Sequence, residues 1–191
     1  MIIRVARVED APAMAQVIVD TFMSAHQGMI SEEELKWRRE EWTYEVSARN
    51  WSDTMREIAE GVTPRSCIYV AVDDSGKDDQ GKDKSGNVVG LALGCPVESA
   101  EEIGEIDVLY VRESHQGQGI GRRLVQAVAA HLAEMGMTTL HIGVLAANRP
   151  ARGFYEALGG RVVEERLFVE GGFAEPGVIF EWRDMRALIA S

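Results

Sequence analysis

The stretch HQGQGIGRRL, from His115 to Leu124, has glycine at three alternate positions and then continues as a helical pattern. Glycine loses more backbone entropy on folding than any other residue and contributes no side chain to a core. Three glycines in one ordered turn therefore need a reason. The alternatives are a dinucleotide site, a nucleotide-hydrolysing P-loop, a phosphate cradle and a bare strand-to-helix turn.

The spacing of these glycines excludes two of the alternatives. A dinucleotide fingerprint needs Gly-x-Gly-x-x-Gly, but the third glycine comes one residue early, at Gly121, and Arg122 occupies the required position. A P-loop needs Gly-Lys-Ser/Thr, which the stretch lacks. The N–H groups that open a helix point the same way and carry the positive end of its dipole. The pattern favours a cradle for phosphates that are held and not transferred, with a bare turn as the alternative.

The composition describes a globular protein with an acidic surface. The chain has 191 residues, 46% of them hydrophobic and 27% charged, and its net charge is −11. This charge argues against binding to nucleic acid or to anionic membranes, and it suits a cationic substrate as well as simple solubility. Cys67 and Cys95 match no metal or redox spacing, so we expect buried thiols in a reducing compartment. The N-terminus has no apolar stretch of signal-peptide length, so we expect a cytoplasmic protein. We also expect no bound metal.

Hydrophobic periodicity predicts alternating strands and helices in one domain, residues 1–191. The polar segment 73–87 is predicted to form a mobile hairpin loop between two strands. A helix from Asp10, a helical region over 31–59, a helix after the glycine turn and a short helix at 148–158 accompany the strands. The pattern predicts an α/β or α+β fold around one largely antiparallel sheet. The predicted strands are IIRVARV, SCIYVAVDD, NVVGLALGCPV, EIDVLYV, TTLHIGVL, RVVEERLFV and GVIFEWRDM.

The motif Gln116-x-x-Gly119-x-Gly121, preceded by LYVRESH and followed by an amphipathic helix, resembles the acyl-CoA motif of the GNAT superfamily of N-acyltransferases. Further along, NRPARGFYEALGGR resembles the next motif of that family, and the resemblance covers residues 1–184. Gly160 stands where the family usually has Phe, and the 73–87 loop is longer than usual. The resemblance implies a mixed, mostly antiparallel sheet of six to seven strands flanked by helices.

The resemblance also implies acetyl-CoA as acyl donor, no metal, and a set of cofactor-binding positions. A backbone N–H from the Leu109–Val111 segment would serve the thioester carbonyl, and Asn148 would contact the pantetheine arm or the tyrosine region. Asn148 is also a helix N-cap candidate, and the two roles can coincide. The implied cofactor-binding residues are Leu109, Tyr110, Val111, Gln116, Gly117, Gln118, Gly119, Ile120, Gly121, Arg122, Asn148 and Tyr155.

Acyl transfer to an amine needs a base for the ammonium and an acid for the departing thiolate. Tyr155 matches the family tyrosine near the sulfur and is the candidate acid, with helix packing as its alternative role. Glu105 is the candidate base, and Asp107 is the alternate base or a substrate ligand. Strand alternation places Glu105, Asp107 and Leu109 on one face, opposite Ile106, Val108 and Tyr110. A strand bulge would change that facing, and either carboxylate could simply face solvent.

The sequence thus predicts an acetyl-CoA-dependent N-acetyltransferase that works by direct attack in a ternary complex. Neither cysteine lies in the matched motifs, so no covalent acyl-enzyme is expected. We expect the acceptor to be a primary amine of a small molecule. The helical region 28–60 falls where the resembling family shapes its acceptor pocket. The alternatives are a protein N-terminal or lysine acetyltransferase, a non-catalytic acyl-CoA-binding module, and a structural subunit whose glycine turn is empty. The resemblance also raises a homodimer as an expectation.

Overall fold

The computed structural model describes residues 1–73 and 88–190, and within them the chain forms seven strands and six α-helices. The predicted loop 73–87 lies outside the described residues, apart from Asp73. The strands are β1 (Ile2–Val5), β2 (Cys67–Val72), β3 (Val88–Val97), β4 (Ala100–Val111), β5 (Thr139–Leu145), β6 (Arg161–Glu170) and β7 (Phe173–Trp182). The helices are α1 (Ala11–Ala25), α2 (Glu32–Glu41), α3 (Tyr44–Ala59), α4 (Ile120–Glu134), α5 (Arg149–Ala157) and α6 (Met185–Ala190).

All seven strands join one sheet in the order β1-β2-β3-β4-β5-β7-β6. Over the described ranges, β4 and β5 pair in parallel and every other neighbouring pair is antiparallel. The predicted fold class, a mixed and mostly antiparallel sheet flanked by helices, is confirmed.

Helices cover both faces of the sheet. On one face α4 buries its apolar side, and Gly94 lets it approach closely, since a Cβ there would lie 2.3 Å from Val128. On the other face α1 and α3 pack through residues that include Met14, Val17 and Trp51. No helix in residues 1–73 or 88–190 is long and apolar enough to cross a membrane.

Several boundaries differ from the sequence predictions. The helical region 31–59 is two helices, because Thr43 starts α3 by accepting a hydrogen bond from the N–H of Val46. Strand β4 begins at Ala100 and not at Glu105, because Val97 and Ala100 pair across a tight hairpin. The closing helix α6 has no counterpart among the sequence predictions.

The predicted alternation along β4 is wrong beyond Ile106. Leu93 pairs with Val108 but Gly94 pairs with Ile106, so Asp107 is an extra residue in a β-bulge. The bulge reverses the faces: Leu109 packs with Ile106 in the core under α4, and Val108 joins the core under α1 and α3. Glu105, Asp107 and Leu109 therefore do not share one face by simple alternation.

Candidate active site

The site opens where β4 and β5 separate. Their parallel pairing starts at Ile103 with Thr139 and ends at Ile106 with Ile142. Both strands run on past the last of these pairs, β4 to Val111 and β5 to Leu145, without further pairing to each other in the part of the chain described. A cleft of about 1220 Å³ fills the space and extends towards α1, α2 and the β6–β7 hairpin.

Almost all of the predicted site residues line this one cleft. Gln118 does not line it, because its side-chain amide turns back to the Ser114 carbonyl at 3.3 Å. The residues that line it are Glu105, Asp107, Leu109, Tyr110, Val111, Gln116, Gly117, Gly119, Ile120, Gly121, Arg122, Asn148 and Tyr155.

The three glycines of the turn have two different structural roles, a positive φ at two of them and close helix packing at the third. Gly117 and Gly119 have φ of 73° and 76°, a region that L side chains rarely adopt, and a Cβ at either position would meet no atom within 4 Å. They shape the backbone and leave open space in front of it. Gly121 has no positive φ, and a Cβ there would lie 3.1 Å from Cζ of Phe154. Gly121 therefore serves the packing of α4 against α5.

The first turn of α4 offers unoccupied backbone donors to the cleft. Its N-cap is Gly119, and no side chain of the described residues caps it. Gln116 fixes the turn to the end of β4, since its side-chain amide donates to the Val111 carbonyl at 3.0 Å. Arg122 lines the cleft, whereas Arg123 reaches the carbonyl of Met1 at 3.3 Å. A diphosphate fits this cradle of free N–H groups, open space and one nearby guanidinium.

Asn148 caps α5, as its alternative role predicted. Its Oδ1 accepts a hydrogen bond from the N–H of Ala151 at 3.1 Å. The side-chain NH₂ is not used by this cap, and Asn148 lines the cleft. The cap therefore leaves a donor for a bound molecule.

Tyr155, on α5, is 6% exposed and lies against Phe154, Phe180 and Trp182 with ring centroids 5.3 to 6.1 Å away. Its hydroxyl has no hydrogen-bond partner among the described residues, although the side chain lines the cleft. Burial raises the pKa of Tyr155 above its ordinary value, so the hydroxyl keeps its proton. A buried, protonated phenol suits an acid, and the same contacts also fulfil the packing role.

Both candidate carboxylates lie at the bulge on the cleft floor. Burial, and then the charge of Asp107, raise the pKa of Glu105, while Arg166 and His141 act in the opposite direction. Asp107 keeps solvent contact, yet partial desolvation and then Glu170 raise its pKa as well. Carboxylates with raised pKa values are better proton acceptors than ordinary ones.

A second tyrosine lines the cleft through a side chain that the sequence did not single out. The predictions used only the backbone of Tyr110. Its ring is 6.5 Å from that of Phe22, and burial raises the pKa of its hydroxyl. The bulge at Asp107 directs this side chain to the α1 face.

An ion-pair network on the acceptor side of the cleft was also missed. Arg38 donates to Glu34 Oε1 through Nε at 3.2 Å and through Nη2 at 3.0 Å, and its Nη1 lies 3.0 Å from Glu170. The guanidinium lies 4.5 Å from the Trp42 ring centroid and 4.8 Å from that of Phe22. The spacing of Glu34 and Arg38 on one helix could have indicated the pair, but nothing local indicates Glu170.

The cysteines lie away from this chemistry. Cys67 is buried and Cys95 is half-buried, and neither lines the cleft. Burial raises the pKa of the thiol to about 12 in Cys67 and to about 11 in Cys95. Both therefore stay neutral thiols at neutral pH, and a neutral thiol is a poor nucleophile. Residues 1–73 and 88–190 hold no group of three or more His, Cys, Asp or Glu placed to bind a metal ion.

Comparison with known families and sequences gives a consistent answer. The model of the acetyltransferase (GNAT) family matches residues 31–160. The uncharacterized N-acetyltransferase YuaI of Bacillus subtilis (strain 168) is 30% identical over 151 residues, which are 75% of this chain and 87% of YuaI.

Solved structures share the fold at low sequence identity. The PaiA N-acetyltransferase of Thermoplasma acidophilum, in complex with coenzyme A, superposes with a TM-score of 0.71 at 17% identity, over 95% of this chain and 98% of that one. The protein yncA of Salmonella typhimurium, solved with its cofactor acetyl-CoA, gives 0.62 at 18% identity, over 95% and 92%.

Proposed function

This chain belongs to the acetyltransferase (GNAT) family, and we propose that it forms one catalytic domain that transfers the acetyl group of acetyl-CoA to a primary amine of a small molecule. The observation that carries the proposal is the uncapped start of α4. Its free N–H groups, behind Gly117 and Gly119, open into the cleft that also contains Tyr155 and Glu105. Acetyl-CoA supplies the activated thioester.

The residues of the chain would hold acetyl-CoA by its pyrophosphate and pantetheine arm, and they leave the edge of β4 free for its acetyl group. The first turn of α4 and Arg122 would bind the pyrophosphate, and the NH₂ of Asn148 would bind the pantetheine arm. The edge of β4 from Leu109 to Val111 faces the gap beside β5, so a backbone N–H there can donate to a thioester carbonyl.

The proton movements are divided between two residues of opposite character. Glu105, with its raised pKa, accepts the proton of the acceptor ammonium, directly or through water, with Asp107 as the alternate base. Tyr155 keeps its hydroxyl proton and delivers it to the departing thiolate. Attack is direct in a ternary complex, because both cysteine thiols lie outside the cleft with raised pKa values.

A small amine is favoured as acceptor by the charge and enclosure of the acceptor side. Glu105, Asp107, Glu34 and Glu170 outnumber the two arginines, Arg38 and Arg166, that line it with them. Trp37 of α2 contacts Phe173 of β7 nearby, with ring centroids 5.7 Å apart. A cationic amine is attracted by these carboxylates. Acetylation of protein N-termini or lysines is the second candidate.

The neutral thiols fit a cytoplasmic location, and the homodimer stays a prediction.

Donor binding is tested first, by thermal unfolding with and without ligand. A ligand at about 100 times its Kd adds about 2.7 kcal/mol to the stability of the folded state. Acetyl-CoA and coenzyme A should each raise the melting temperature, and fragments of coenzyme A that lack the pyrophosphate should raise it less. An unchanged melting temperature at saturating acetyl-CoA would refute the donor site.

Turnover is then tested as thiol release from acetyl-CoA against a panel of small amines and peptides. We expect primary amines to give turnover and peptides with free N-termini or lysines to give less. Faster turnover with peptides would replace the small-molecule assignment by the protein one. Donor binding without turnover on any acceptor would indicate a non-catalytic acyl-CoA-binding module.

A further inference from the structure

The carboxylate of Glu34 has one oxygen that no donor satisfies. Its Oε1 receives both hydrogen bonds from Arg38, whereas Oε2 is buried and has no hydrogen-bond partner among the described residues. Glu34 is 3% exposed and lines the acceptor side of the cleft. Leaving a buried charged acceptor unpaired costs free energy, so such an atom points to a missing donor.

His26 adds a second acceptor on the same side of the cleft, near enough for the charge of Glu34 to act on it. Its Nδ1 lies 3.0 Å from the carbonyl of Phe22, a contact that is a hydrogen bond only if Nδ1 carries the proton. Burial lowers the pKa of His26, so the ring is neutral and Nε2 presents a lone pair. Nε2 has no partner in the described part of the chain, and His26 lines the cleft. Both free atoms accept hydrogen bonds, and neither can donate one. Nη1 of Arg38, 3.0 Å from Glu170, is a buried donor in the same network that makes no hydrogen bond of its own among the described residues.

The network around these two atoms has two carboxylates and one cation, Arg38, whose charge lowers the pKa of His26 more than that of Glu34 raises it. Glu34 and Glu170 share one guanidinium, that of Arg38, so the network carries an excess negative charge. Asp107, whose pKa is raised by partial desolvation and then by Glu170, adds a further carboxylate nearby. A positively charged donor satisfies Oε2 and also reduces this excess, whereas a neutral hydroxyl does only the first.

We propose that Glu34 Oε2 and His26 Nε2 form a subsite for a second ammonium group of the acceptor, so that the enzyme prefers diamines to monoamines. The subsite rests on the proposed function in one respect: the other amine of the bound diamine is the group that is acetylated. One amine loses its proton at Glu105 or Asp107 and is acetylated. The other remains an ammonium and is held at Glu34.

The experiment measures binding and turnover for a series of matched probes. These are the linear diamines from 1,3-diaminopropane to 1,6-diaminohexane, with the monoamine and the amino alcohol of the same chain length. Calorimetric titration in the presence of coenzyme A gives affinity, and thiol release gives kcat/KM. We expect the best diamine to bind at least tenfold more tightly than its monoamine, with the amino alcohol in between. Equal binding of the three by the wild type overturns the proposal.

The variant Glu34→Gln keeps Oε1 for Arg38 and replaces Oε2 by a donor. It should reduce the preference for the diamine to below threefold, because diamine affinity falls more than monoamine affinity. Glu33→Gln removes the same charge from an exposed position on α2 and should keep the preference. If Glu34→Gln keeps it too, the subsite is refuted. A melting curve and acetyl-CoA binding establish that the variant is folded.

His26→Phe provides an independent variant, because it keeps a ring against Phe22, now 4.1 Å away and stacked, and removes Nε2. It should weaken diamine binding about threefold or more, and an unchanged diamine affinity would remove His26 from the subsite. Failure of the subsite and failure of the proposed function give different results. Diamine binding that depends on Glu34, without any acetyl transfer, supports the subsite and refutes the enzyme assignment. Acetyl transfer without a diamine preference does the reverse.

Discussion

The glycine turn at 116–122 and the floor of the cleft belong to neighbouring parts of the chain but work through different atoms. The turn presents backbone N–H groups, and two of its glycines have positive φ with nothing in front of them. The floor and the neighbouring helix α5 present side chains, those of Glu105, Asp107 and Tyr155, whose pKa values are all raised by burial. One region is built to hold a molecule, and the other to move protons.

This difference predicts two separable kinds of defect. A side chain added to the turn should weaken binding of the donor without altering the proton chemistry. A change of functional group on the floor should slow the reaction and leave donor binding intact. Variants at both places therefore test the division directly.

The largest expected effect is at the turn, in Gly119→Asn. Asparagine tolerates a positive φ, so the fold should survive, but its side chain would occupy the space in front of the first turn of α4. Loss of about two charge-assisted hydrogen bonds, about 3 kcal/mol, corresponds to more than ~100-fold in affinity. Calorimetry with coenzyme A measures this loss.

Gly136→Asn is the matched control for that variant. Gly136 also has a positive φ, 93°, also has nothing within 4 Å of its Cβ position, and lies just beyond the other end of α4. It should bind coenzyme A as the wild type does. Equal loss in both variants would mean that damage to α4, and not blockage of the cradle, weakens binding.

The second effect is on the floor, in Glu105→Gln. Removing a general base typically costs on the order of 100-fold in kcat/KM, and the KM for acetyl-CoA should stay within about threefold. The raised pKa of Glu105 moves the acid limb of the wild-type pH profile upward from the ordinary glutamate range. The variant should lose that limb and gain activity at alkaline pH, where the amine loses its proton unaided.

The same variant should be more stable than the wild type at pH 7. Folding raises the pKa of Glu105, so its contribution to stability is present below the ordinary pKa and is lost as pH rises through the raised one. Glutamine removes this penalty, and the difference should vanish in acid. Glu101→Gln, at an exposed position of the same strand, should change neither stability nor rate. A slower and less stable Glu105→Gln would instead indicate a structural role.

The glycine turn was predictable from sequence because its information is local. The positions of Gly117 and Gly119, the helix after them and the strand before them all lie within one short segment, as do the cap of α5 and Tyr155. The fold class followed from periodicity in the same way. Each of these features depends on neighbours a few residues away.

The floor and the acceptor side were less predictable because their geometry depends on distant partners. The bulge at Asp107 exists only in the register of β4 against β3, and it reversed the predicted facing of the last residues of β4. The network of Arg38 needs Glu170, which lies at the end of β6 far along the chain. Glu34 lies in the first turn of α2, where Ser31 accepts a bond from its N–H, but its carboxylate pairs with Arg38.

The third effect is smaller and concerns Tyr155→Phe. Phenylalanine keeps the ring contacts with Phe180 and Trp182 and removes the hydroxyl, so the fold should be unchanged. We expect kcat to fall about tenfold, less than the loss of about 100-fold or more that is usual for a general acid, because a thiolate leaves without much assistance. Tyr69→Phe, outside the cleft, is the control. An unchanged kcat would leave Tyr155 as a packing residue.

The smallest effect is at Asn148, whose side chain caps α5 through Oδ1 and has an NH₂ group left to donate to the cofactor. Asn148→Ala removes the cap of α5 and should cost about 1 kcal/mol, or about 2–4 °C in melting temperature. Asn148→Asp still accepts from the N–H of Ala151 and places a negative charge at a helix N-terminus, so it should restore the stability. It lacks the NH₂ donor. Weaker acetyl-CoA binding by this stable variant would assign that donor to the cofactor, whereas wild-type binding would limit Asn148 to its cap.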